Sequence, residues 1–325
     1  MISKWSSVAL SAAIAAVSAT RMVPSTVDNT RYHNFTSVGE DNWVPGPPAA
    51  VDEWAPGYAG FNTIWQDAFI GSSGQSPDTN NWNIITGNLG VNNEWEIYQS
   101  GWENLQLSGG NTLQIVPVIM NGQWTSGRIE SKYTFTPQDG RLTRAEAKIR
   151  FGDAPAANKQ GIWPAFWIMG DSIRHGTGWP GNGEIDVMER VNSEWAGHGT
   201  LHCDVYPGGI CNEPNGKGAS VGLGDNGWHL WRVEWDRRTD NWADEILIWY
   251  LDGVQFHSVA GWQVGWDVWQ DIANSPLYFL LNVAVGGNWV SHVPTSFYRV
   301  PILHQNLSTV FKRNFANRGP LAWIP

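Results

Sequence analysis

At 325 residues, with 36 Gly, 18 Pro, 22 Trp and only 15% charged side chains, the chain can bury one large core but lacks the amphipathic patterning of long helices. Its net charge of −10, with no Lys/Arg cluster to neutralise phosphates, excludes nucleic acid and anionic membranes as expected partners. The Trp excess beside low charge points to carbohydrate, because flat rings in a groove stack on the apolar faces of sugars while the remaining Trp residues fill the core.

The chain opens with MISKWSSVALSAAIAAVSATR, in which Lys4 precedes an apolar run over 8–17 that ends in the small residues Ser18 and Ala19. This predicts a secretory signal over 1–19 and a secreted, extracellular protein; the run is too short to span a bilayer. Residues 20–57, polar and Pro-rich, read as an arm or leader. Asn34-Phe35-Thr36 and Asn306-Leu307-Ser308 are acceptor sequons for N-glycosylation.

From about Phe61 the pattern becomes short alternating segments separated by turn residues. In GRIESKYTF, Ile129 and Ser131 fall on one face and Arg128 and Glu130 on the other; RAEAKIRF alternates Ala145, Ala147, Ile149 with Arg144, Glu146, Lys148. Both predict half-buried strands. HLWRVEWDR is a further strand, and EILIWYLDGVQFHSV is a hairpin whose Asp252-Gly253 supplies the positive φ angles of a tight turn. LYFLLNVAV, apolar on both faces, predicts a strand central in its sheet. The expected fold is all-β, two antiparallel sheets packed as a sandwich or jelly roll.

Cys203 and Cys211, the only cysteines, form a disulfide most simply, worth about 2.5 kcal/mol in the chain-entropy model. A metal site built on His202, Cys203 and Asp204 lacks a second ligand cluster at any standard spacing, so none is expected.

GEIDVMER sets Glu184, Asp186 and Glu189 within six residues. The bare pattern is weak, but the β-type run EIDVM puts Glu184 and Asp186 on one face of a strand, and Ile185, Val187 and Met188 imply packing. Strict alternation sends Glu189 to the opposite face; one bulge between Asp186 and Glu189 returns it. Backbones roughly 13 Å apart then allow two long side chains to bring their carboxyls within about 5–6 Å, the spacing of a retaining glycosidase pair. In that reading one acid attacks the anomeric carbon, the other serves as acid and then base, and a charged Asp186 between them orients the nucleophile and raises the pKa of Glu189.

With these residues in hand, the chain resembles glycoside hydrolase family 16, the laminarinase-like enzymes. GIWPAFWIMG, Trp179-Pro180, TSGRIESK, GVNNEWEIYQ, GTLHC and NVAVGGNW match family blocks in order over about residues 65–289. The resemblance implies a concanavalin-like β-jelly roll with a concave cleft, a catalytic domain over 58–300 and an atypical tail over 301–325. It implies Glu184 as nucleophile, Asp186 as assisting acid and Glu189 as acid/base, with Asn92, Arg128, Trp163, Trp167 and Trp179 lining the glycone side and His202 near the acid/base residue. Many relatives hold a structural calcium through a Glu after the Asp of the opening strand and through a closing strand. Here WQDAF carries Ala68 in that place, and no closing strand is evident after Trp289, which weakens the case for calcium; no cofactor is expected. The implied activity is retaining endo-hydrolysis of β-1,3-glucan by a monomer. The alternatives are a β-1,3-galactanase, a mixed-linkage β-1,3-1,4-glucanase, a transglycosylase acting on wall glucans, or a non-catalytic lectin on the same scaffold. The segment HCDVYPGGICNEPNG is expected to shape the aglycone side.

Overall fold

A computed structural model describes residues 58, 60–152 and 154–290, and the backbone of 302–312. The expected signal segment, the arm and both sequon asparagine side chains lie outside the described residues.

Two antiparallel sheets face each other. One contains, in spatial order, β13 (Lys217–Gly222), β12 (Ala196–His202), β11 (Glu184–Glu189), β10 (Ile162–Gly170), β17 (Leu277–Val285), β8 (Arg128–Ser131) and β2 (Trp82–Ile84). The second runs β16 (Val254–Ala260), β15 (Ile246–Leu251), β14 (His229–Asp236), β9 (Leu142–Arg150), β18 (Ile302–Lys312), β5 (Leu113–Ile115) and β4 (Leu105–Leu107), with β1 (Phe61–Asp67) also paired to β18. A small third sheet joins β3 (Ile97–Tyr98), β7 (Gln123–Ser126) and β6 (Val118–Met120). One short helix, α1 (Trp266–Ala273), precedes β17. This is the expected all-β sandwich.

Sequence pattern explains the packing. β17 is buried along its whole length, between β10 and β8, as its continuous apolar run predicts. The β15–β16 hairpin turns at Asp252 and Gly253, with φ of 50° and 82°. In the core, Trp82, Trp231, Trp235, Trp249 and Trp269 are fully buried, whereas Trp95, Trp102, Trp179, Trp195, Trp262, Trp266 and Trp289 are exposed. The Trp excess thus divides between core and surface.

Two expectations need correction. β9 is not half-solvated: Arg144 pairs with Glu234 and Glu146 with Arg232 across β14, and these charges are buried on the outer face, with Arg144 also over the rings of Tyr58 and Phe61. Strand alternation was read correctly, but a cross-strand ion-pair ladder replaced water. The expected lack of a closing strand also fails: the backbone of β18 pairs with β9 from Leu303 to Lys312, and with β1 and β5 on its other side. Polar residues interrupt the apolar alternation of that stretch, which hid it in the sequence.

Candidate active site

β11 carries the three acids, and its pairing breaks where the odd spacing requires. Against β12, Glu184 faces His202 and Asp186 faces Thr200, then the register shifts and Glu189 faces His198. Against β10, Asp186 faces Trp167, while Met188 faces Phe166 and Glu189 faces Ala165. Val187 is the extra residue, buried in the core. Because directly opposed residues share a face, the bulge brings Glu184, Asp186 and Glu189 to one face with Trp163, Trp167 and Asn282. At the bulge the indole N–H of Trp249, from the opposite sheet, donates to the Asp186 carbonyl at 2.8 Å. Gly199 makes room for that ring: a Cβ there would lie 2.6 Å from Trp249 Cδ1.

Two exposed-edge indoles bracket the acids. Trp163 Nε1 donates to Glu189 Oε1 at 2.8 Å, and Trp179 Nε1 to Glu184 Oε2 at 3.0 Å. Asp186 is 2% exposed; its Oδ2 accepts from no protein donor, although His202 Nε2 stands 3.4 Å away. Burial, then the charges of Glu189, Glu184 and Glu213, pushes its pKa well above the usual carboxylate range. Burial thus favours the protonated form of Asp186, in which its O–H would donate to Glu184. Burial also raises Glu184, opposed by the charge of His202 and the Trp179 hydrogen bond. Glu189 is pushed up to about 7 by burial, with the Trp163 hydrogen bond pulling down and the Glu184 charge pushing up.

The other expected residues fall around this row. Arg128 on β8 pairs with Glu130 at 2.8 Å and lies over the Trp167 ring at 5.0 Å, while Trp167 Nε1 donates to Asn282 Oδ1 at 2.8 Å. Exposed Asn92 donates to Glu94 Oε1 at 3.1 Å, and its carbonyl accepts from Asn288 N–H at 2.8 Å. That places it by Gly287, whose added Cβ would meet Trp163 at 3.3 Å. Trp163 stands at the Glu189 end of the acid row and Trp179 at the Glu184 end. His202 is the cross-strand partner of Glu184 and also stands near enough to Glu189 for the two charges to act on each other; the cross-strand neighbour of Glu189 is His198. The Cys203–Cys211 disulfide is formed, with a Cα separation of 5.5 Å. Its loop sits on the Trp179 side, where Tyr206 approaches that ring at 6.0 Å.

Sequence reasoning missed Glu213, whose Oε2 lies 2.7 Å from His202 Nδ1, and Trp289, which meets Trp163 edge-on at 5.3 Å and His198 at 5.0 Å. Glu213 is separated from His202 by a loop whose path no local pattern gives. Glu184, Asp186 and His202 form the one group of metal-ligand types converging among the described residues, with one donor atom each within 4.8 Å.

Comparison with known proteins decides the family. An endo-1,3-β-glucanase of known structure from Streptomyces sioyaensis is 30% identical; the match covers 81% of this chain and 100% of that one, with a TM-score of 0.76. The chain belongs to glycoside hydrolase family 16. A model described as an XgeA-like catalytic GH16 domain matches residues 117–217 of this family 16 chain. The glucan endo-1,3-β-glucosidase A1 of Niallia circulans is 30% identical over 300 residues, 79% of this chain. The chain spans only 39% of that relative's length. A β-glucanase of Rhodothermus marinus is 26% identical, covering 70% of this chain and 77% of the relative.

Proposed function

We propose that the protein is a secreted, retaining endo-hydrolase of β-1,3-linked glucan. The observation that carries this reading is the bulged strand that turns Glu184, Asp186 and Glu189 to one face, with an indole N–H on each outer carboxylate. Relatives named as a glucan endo-1,3-β-glucosidase and an endo-1,3-β-glucanase support the substrate. Among the described residues, no helix is long and apolar enough to cross a membrane.

The chemistry follows from the raised pKa values of the three acids. Glu184, holding its charge beside His202 and accepting from the Asp186 O–H, attacks the anomeric carbon. Protonated Glu189 gives its proton to the departing glycosidic oxygen, leaving a glycosyl ester on Glu184. Esterification removes the Glu184 charge that raised Glu189, so the Glu189 carboxylate becomes a weaker proton holder suited to its next task. It then takes a proton from water, whose oxygen attacks the ester-linked carbon and releases Glu184.

Incubation with laminarin and assay of new reducing ends tests the activity. Glu184→Gln should lower kcat by about a thousandfold or more while laminarin binding stays near wild type, because the covalent step is lost and the cleft is not. A Glu184→Gln variant with most of its turnover intact refutes the assignment, and a wild-type protein that binds laminarin without cleaving it turns the reading into that of a lectin.

A further inference from the structure

Behind Glu184 lies a carboxylate with no part in the double displacement. Glu213 has a side chain with no exposed surface; its Oε2 meets His202 Nδ1 at 2.7 Å and its Oε1 accepts the Cys203 N–H at 2.8 Å. Its backbone is held by paired hydrogen bonds with Gly208, and the Cys203–Cys211 disulfide closes the loop just before it. Both oxygens of Glu213 are therefore aimed, one at a fixed backbone donor and one at the imidazole.

We propose that Glu213 is a positioning residue that holds His202 as an imidazolium beside the nucleophile, so that the disulfide-closed loop supplies a positive charge built into the acid row. The proposal deepens the reading of Glu184 as nucleophile and rests on it. The charged and titratable groups facing His202 are Glu184, Asp186 and Glu189 from β11 and Glu213 from the loop. Trp179 covers the ring at 5.7 Å, and the approach to β13 is by Gly216, which has no side chain to contribute. Burial alone pulls the imidazole down, but the Glu213 hydrogen bond and the surrounding carboxylates outweigh it and raise its pKa. The cation in turn lowers Glu184, for which it is the foremost opposing charge, ahead of Arg128. A nucleophile that must be ionised gains a counter-charge that a neutral imidazole does not provide.

Glu213→Gln separates this role from mere packing. The amide has one acceptor and one donor group. Cys203 N–H can only donate, so the Gln oxygen turns to it and the NH₂ faces His202 Nδ1, which favours the neutral imidazole and lowers its pKa. Side-chain ¹⁵N–¹H spectra, with His202 assigned by His202→Gln, should show wild-type His202 titrating above its ordinary 6.5, and in Glu213→Gln about one unit or more lower. On laminarin, kcat of the variant should be within about threefold of wild type at pH 4.5 and at least about tenfold below it at pH 6.5, with KM little changed. A wild-type His202 that titrates at or below 6.5, or a variant-to-wild-type ratio constant across pH, overturns the proposal. The wild-type titration needs neither Glu213→Gln nor turnover, so a His202 at or below 6.5 overturns the proposal even if that variant fails to fold or laminarin proves not to be the substrate.

Discussion

At the scale of single residues, the site works through differences in burial and partner among like side chains. Trp163 donates to Glu189, and this hydrogen bond, with the charge of His202, restrains its pKa to about 7. Trp163→Phe removes the donor, favours the protonated acid, and should move the alkaline limb of kcat/KM up by about half a unit to one unit, leaving the acid limb in place. A pH–rate profile on laminarin checks this; an unmoved or lowered alkaline limb contradicts it. The acids themselves, Trp163 and Trp179 were legible in the sequence because their order and spacing survive as motifs. The upward shift of Asp186 was not, since it depends on how completely three strands and a loop exclude water, and Glu213 was not, since its place beside His202 is set by the loop path.

At the scale of elements, the bulge in β11 is the feature on which the geometry turns. The odd spacing of Glu189 made it legible, whereas what holds it did not appear in the local pattern. Trp249 belongs to a strand of the other sheet, and Gly199 to the neighbouring strand, yet together they fix the Asp186 carbonyl. Trp249→Phe keeps most of the ring volume and deletes the N–H, so kcat should drop about tenfold with KM nearly unchanged. Gly199→Ala pushes a Cβ into the same ring and should lower kcat in the same way. Steady-state kinetics on both variants checks the point, and unchanged kcat in Trp249→Phe would show that the bulge holds without the indole. β18 gives the opposite lesson: its pairing partners β9, β1 and β5 define it as a strand where its own alternation did not.

At the scale of the whole molecule, function is bound to stability through the buried acids. Glu189 holds its proton to about 7 when folded against an ordinary 4.5, and Glu184 and Asp186 are shifted in the same direction. The folded state thus binds more protons than the unfolded chain, and stability present below about pH 4.5 is lost as pH rises through 7. Glu189→Gln, neutral throughout, should flatten this decline and be more stable than wild type at pH 7 by up to about 3 kcal/mol. Thermal melts across pH 4.5–7.5 test it, and equal slopes for the two proteins contradict it. The sandwich itself was readable from turn spacing and alternation, because a two-sheet fold repeats one local rule many times. The burial of the Arg144–Glu234 and Glu146–Arg232 ladder was not, because it depends on which segment covers the outer face.

The central claim is that the bulged strand presents Glu184 and Glu189 as a retaining pair, and the configuration of the first product tests it most directly. Proton NMR of laminarin hydrolysis in its first minutes should show the β-anomer appearing before mutarotation, as two successive displacements require. First-formed α-anomer would mean a single displacement and would contradict the account.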